Sequence, residues 1–180
     1  VPASAAFQKT LYAEDLTPDR ALQSEKHADA VLGFIRGRTE PWFVYMAPPV
    51  PHDPRVAPPE FMKMYDPAKV TLSPNFMPEH PFDNGELQVR DELLAPHPRT
   101  PEEMRRHTAE YYATVSCLDH HVGRVLREVP PDTVVVFTSD QGLAVGGDVE
   151  QQRALVGAVD LFGVMWLGSR ASNPGGSDEL

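Results

Sequence analysis

Apolar positions fall into four blocks along the chain, and each block has a different period. In residues 17–36, Leu22, Ala28, Val31, Leu32 and Ile35 form a stripe at helical spacing. Thr17 is placed to cap this helix, Pro18 suits its first turn, and Gly37 follows as a stop signal. Residues 42–46, Trp-Phe-Val-Tyr-Met, are an unbroken apolar run between prolines. The run is too short for a helix and predicts a strand buried on both faces. Pro48 and Pro49 then turn the chain out of a sheet.

The strongest helix signal covers residues 101–129. Thr100-Pro101-Glu102-Glu103 is a capping box with proline at the first helical position. Behind it, Met104, Thr108, Tyr111, Val115, Leu118, Val122, Val125 and Val129 recur at spacings of four and three, which makes one packing seam. Pro130 and Pro131 end the helix. Residues 133–138, Thr-Val-Val-Val-Phe-Thr, then read as a central parallel strand, being β-branched without alternation. A further strand is expected at Phe162 to Leu167, and residues 168–180 read as a disordered tail. Two strands, each preceded by a helix, predict an α/β layered architecture.

Composition changes this picture in one region. Most of the prolines lie between Pro41 and Pro101. Residues 47–100 are too long for a plain loop in a compact domain. A short helix from about Pro59 to Tyr65 and a turn at Asp83-Asn84-Gly85 relieve part of that length. At 180 residues the chain has the size of one domain. Its 16 basic and 26 acidic residues leave a net charge of −10, which argues against nucleic acid or an anionic membrane as partner. No apolar run approaches the roughly 20 residues of a transmembrane helix, and no export signal opens the chain. The first residue is Val1, so the chain is expected to be processed or a fragment. The single cysteine, Cys117, excludes an internal disulfide and any Cys-based zinc cluster. It lies near the helical seam and reads as a small buried hydrophobe. Met62, Met64, Met77 and Met104 read as packing residues.

Two polar clusters stand beyond the predicted strands. Pro51-His52-Asp53-Pro54 follows the strand ending at Met46, and Ser139-Asp140-Gln141-Gly142 follows the strand ending at Thr138. In open α/β sheets ligands bind outside the carboxyl ends of strands, so parallel neighbours would bring both clusters to one edge. The Asp140 carboxylate and Gln141 amide oxygen are hard donors suited to calcium or magnesium. The His52 imidazole suits an anion contact or proton transfer to a leaving oxygen. His120 and His121 are adjacent on a helix, point in different directions and make a poor ligand pair. His80 and His97 read as surface residues.

Four stretches in order resemble the sulfatase family, within the alkaline-phosphatase-like superfamily. They are Pro-Trp-Phe-Val-Tyr-Met-Ala-Pro with the following Pro-His-Asp-Pro-Arg, residues 75–86, residues 111–126, and residues 133–146 ending Phe-Thr-Ser-Asp-Gln-Gly-Leu-Ala-Val-Gly. The middle stretch resembles bacterial sulfatases of sulfated carbohydrates. The resemblance is strongest over residues 20–146 and implies part of an alkaline-phosphatase-like parallel or mixed sheet flanked by helices, incomplete, with a domain over residues 1–167. It implies metal-dependent hydrolysis of a sulfate ester of a carbohydrate or an aryl group. His52 matches the histidine that contacts the ester and protonates the leaving oxygen, and Asp140 matches a calcium ligand. Gln141 stands where the family has Asn or His, one methylene longer than Asn. The family also implies a periplasmic or secreted location.

The departures carry equal weight. The family's nucleophile is formylglycine, made from a Cys or Ser in Cys/Ser-x-Pro/Ala-x-Arg, and no such motif occurs in this sequence. The family's Asp-Asp metal pair is absent, and residues 147–170 hold no lysine where a sulfate-binding Gly-Lys is usual. The expectation is an internal sulfatase fragment, inactive in isolation. Two other readings stay open: a phosphodiesterase or phosphonate hydrolase of the same superfamily, and a degenerate sulfatase that only binds.

Overall fold

The computed structural model describes residues 18–52, 54–79, 95, 98–138 and 164–168. The first apolar stripe folds as two helices, α1 (Pro18–Ala21) and α2 (Gln23–Ile35), instead of one. At the break, the Gln23 side-chain amide donates to the Asp19 carbonyl oxygen at 3.5 Å. In a continuous helix the Gln23 backbone N–H would take that carbonyl. The stripe itself packs as its spacing requires. Ala28, Val31, Leu32 and Ile35 are buried, whereas Leu22, at the break, is exposed. Gly37 ends the segment with φ 73°, a left-handed conformation that favours glycine.

Strand β1 (Phe43–Met46) follows, then a short helix α3 (Pro59–Met62) and a single 3₁₀ turn (Pro67–Lys69). Helix α4 (Pro101–Leu126) is the longest element. Its Thr100 hydroxyl accepts from the Glu103 backbone N–H at 3.2 Å, which is the cap the sequence predicts. Along its seam Met104, Thr108, Tyr111, Leu118, Val122 and Val125 are buried. Ala109, Ala113, Thr114, Cys117, His107 and His121 are buried as well. This face is wider than one stripe because α4 packs against α2 and also against α3 and the 3₁₀ turn. The core joins α2, α4 and β1 with its flanks through Ala28, Leu32, Ile35, Trp42, Met46, Val50, Leu118, Val122 and Val125. A bidentate pair ties the helix ends together at the rim: Arg36 donates through Nε and Nη2 to the Glu128 carboxylate at 2.7 and 2.5 Å. That hydrogen bond holds the Glu128 carboxyl below the ordinary carboxylate range.

Strands β2 (Val134–Thr138) and β3 (Val164–Gly168) complete a three-stranded sheet of order β1-β3-β2. Both outer strands pair antiparallel with β3. The central parallel strand expected at 133–138 is therefore corrected: β2 has β3 as its neighbour, runs antiparallel to it, and lies at the end of the strand order. A β-branched run encodes a strand's propensity, not the direction of its neighbour or its depth. Burial on both faces is also corrected for β1. Met46 is buried and Val44 half-buried, while Phe43 and Tyr45 are more than half exposed. Every residue of β2 is exposed, including Val134, Val135, Val136 and Phe137. The strand expected at Phe162 to Leu167 is found as β3. The Asp83-Asn84-Gly85 turn, His80, His97 and the tail at 168–180 lie outside the described residues, apart from Gly168 at the end of β3.

Candidate functional site

β1 and β2 are not neighbours, yet they run the same way, because each is antiparallel to β3. Met165 is opposite Met46 on one side and Phe137 on the other, and Val164 is opposite Thr138. The carboxyl ends of β1 and β2 therefore share one edge of the sheet, two strand spacings apart, about 9–10 Å. That edge is where an α/β sheet places its ligand loops.

The loop after β1 carries His52 and is closely held. Met46, Val50 and Ala57 are buried, as are Pro51 and Pro54. The Val50-Pro51 peptide bond is cis. The His52 backbone N–H donates to the Pro49 carbonyl at 3.2 Å and closes a turn. Buried Pro51 and Pro54 flank this turn, and His52 itself is half-buried. Three residues on, the Arg55 guanidinium sits 5.9 Å from the ring centroid of Tyr111, which anchors the far side of the loop to α4. Sequence reasoning did not single out Arg55, since its partner is 56 positions away and no local pattern signals it.

Asp140 and Gln141 lie outside the described residues. The described chain ends two residues before Asp140, at Thr138, on the shared edge. Among the described residues no group of three or more His, Cys, Asp or Glu side chains is arranged to hold a metal. A carboxylate and an amide oxygen suit calcium or magnesium in kind. Calcium takes 6–8 oxygens, so these two donors fall short in number.

The remaining sequence candidates resolve by burial. Cys117 is 2% exposed. Burial pushes its thiol up to about 11, against a hydrogen bond with the buried Ser24 that acts the other way. A thiol in that state is a packing group, as its place in the seam implies. It should react with an aromatic disulfide reagent only as the chain unfolds. The check is the rate of thiol release in buffer and in urea: equal rates would contradict its burial. Met104 is buried, but Met64 is 59% exposed and Met77 39%, which corrects their reading as packing residues. His120 is exposed and His121 buried, with rings edge-on at 5.0 Å.

The chain belongs to the sulfatase family, which it matches over residues 2–169. It is 30% identical to iduronate 2-sulfatase of Mus musculus over 150 residues, which is 74% of this chain and 27% of that protein. The human iduronate 2-sulfatase is 30% identical over 152 residues, with the same coverage of each chain. The chain thus spans about a quarter of the length of the curated relatives it matches. No solved structure matches it. Family membership implies an alkaline-phosphatase-like α/β fold. A bacterial origin is not shown by these relatives. Among the described residues no helix is long and apolar enough to cross a membrane.

Proposed function

We propose that this chain supplies the leaving-group side of a sulfuric ester hydrolase site, acting on a sulfated carbohydrate or an aryl sulfate in a periplasmic or secreted setting. The observation that carries the reading is the shared sheet edge. The loop with His52 leaves β1 there, and the segment with Asp140 leaves β2 there, in a chain of the sulfatase family. His52 donates a proton to the ester oxygen as the sulfur–oxygen bond breaks, so the departing alkoxide leaves as a neutral alcohol. Asp140 and Gln141 contribute two oxygen donors of the kind a calcium or magnesium ion takes. The remaining donors of such a site are not in this donor set, and the role of His52 does not depend on them.

No Cys/Ser-x-Pro/Ala-x-Arg segment occurs in the 180 residues, so the chain alone lacks a group to take the sulfuryl unit. The purified 180-residue chain is expected to release no sulfate from an aryl sulfate. The product of the complete reading frame is expected to release it and to prefer sulfate over phosphate esters. Turnover by the chain alone would remove the requirement for a second segment. Preference for a phosphodiester would move the assignment to phosphoryl transfer within the same superfamily.

A further inference from the structure

The middle of α2 is cross-linked to the C-terminal end of α4 by a chain of three side chains. Arg124 of α4 donates through Nη2 to the Asp29 carboxylate of α2 at 2.5 Å. Its other nitrogen, Nη1, lies 2.9 Å from Nδ1 of His121. A guanidinium has donors only, so Nδ1 must be the acceptor. The ring is therefore neutral, with its proton on Nε2. His121 is 6% exposed, so water has little access to replace the bond.

We propose that the Asp29–Arg124–His121 chain is an acid-sensitive latch between α2 and α4, closed when His121 is neutral and opened when its Nδ1 is protonated. Protonation places an N–H on Nδ1 against the N–H of Arg124, two donors at hydrogen-bond distance. Arg124 is held by Asp29 and cannot turn away without giving up that ion pair as well. The charged and titratable groups that act on the ring come from both helices: Glu25 and Asp29 from α2, His120 and Arg124 from α4. From α3, Phe61 meets the ring of His120 at 5.7 Å, and the charge of Glu60 acts on the neighbouring Cys117. Glu25 and Asp29 favour the imidazolium. Burial comes first against it, with the like charges of Arg124 and His120, and the ring is held below the ordinary histidine range.

A histidine depressed in the fold takes up its proton more readily in the unfolded chain. Its contribution to stability is whole above the unfolded value near 6.5, declines as pH falls from there through the folded value, and levels off below it. The latch joins the helices that lead into the two site strands: α2 runs into β1 and α4 into β2. Opening it would loosen the α2–α4 packing that also holds Trp42 and Met46 on the β1 side. This reading uses no feature of the ester site and stands or falls apart from it.

The test is urea or thermal unfolding of the 180-residue chain between pH 8 and pH 5, beside His121→Gln and His120→Gln. Gln keeps an oxygen for Arg124 and does not titrate. The parent and His120→Gln are expected to lose roughly 3 °C more in midpoint across this range than His121→Gln. Carboxylates common to all three cancel in the comparison. Equal pH slopes for the parent and His121→Gln would overturn the latch. Should His121→Gln fail to fold, long-range proton–nitrogen correlation on the parent decides. An Nε2–H tautomer at pH 8 with a midpoint below the ordinary histidine value supports the latch. An Nδ1–H tautomer, or a midpoint at or above that value, overturns it.

Discussion

Leu118→Ala is expected to destabilise the chain by about 3 kcal/mol, within the range of roughly 2–5 for a leucine truncated in a packed core. Leu118 is 3% exposed and sits in the cluster that joins α4 to α2 and to the root of β1. Its neighbours there, Ala28, Leu32 and Val125, are on helices that cannot close a cavity without moving against each other. Domain stabilities are about 5–15 kcal/mol in all, so this single change removes a large share. Leu126→Ala is the control. Leu126 lies on the same helix but is 44% exposed, and its loss is expected to stay within about 0.5 kcal/mol. Urea titrations of both variants decide: the Leu118→Ala midpoint should fall with an unchanged slope. A shift no larger than that of Leu126→Ala would mean that α2 and α4 do not pack through this seam.

That contrast between Leu118 and Leu126 was legible in the sequence, because a helix writes its buried face at a period the sequence repeats. The cap at Thr100, the stop at Gly37 and the stripe from Ala28 to Ile35 are local in the same sense. What the sequence could not convey is the partner of each strand. Val134 to Phe137 read alike whether the neighbouring strand is parallel or antiparallel, and whether a layer covers them or not. The order β1-β3-β2 depends on β3, whose Val164–Gly168 begins 26 positions beyond Thr138. Of the candidate site, only the strand ends were legible from the residues themselves; the part given to His52 comes from the family resemblance and remains a proposal. The shared edge holds for a different reason from the one the sequence suggests: two strands antiparallel to a third are parallel to each other. The Asp29–Arg124–His121 chain was invisible, since Asp29 and Arg124 are 95 positions apart and meet only after the helices pack.

His52→Ala in the product of the complete reading frame is expected to lower kcat by about 10²–10⁴ on a sulfate ester with a poor leaving group, the usual worth of a positioned general acid. The size of the loss should depend on that leaving group. A sugar alkoxide departs with a full developing charge and needs the proton. A nitrophenolate spreads its charge over the ring and needs it far less. The variant should therefore be most impaired on the sugar sulfate and least on the nitrophenyl sulfate. Paired assays on the two ester classes separate the roles. An equal loss on both would make His52 a binder of the sulfuryl group in place of a proton donor. No loss on either would remove it from the site, leaving only the segment after β2 on that edge of the sheet.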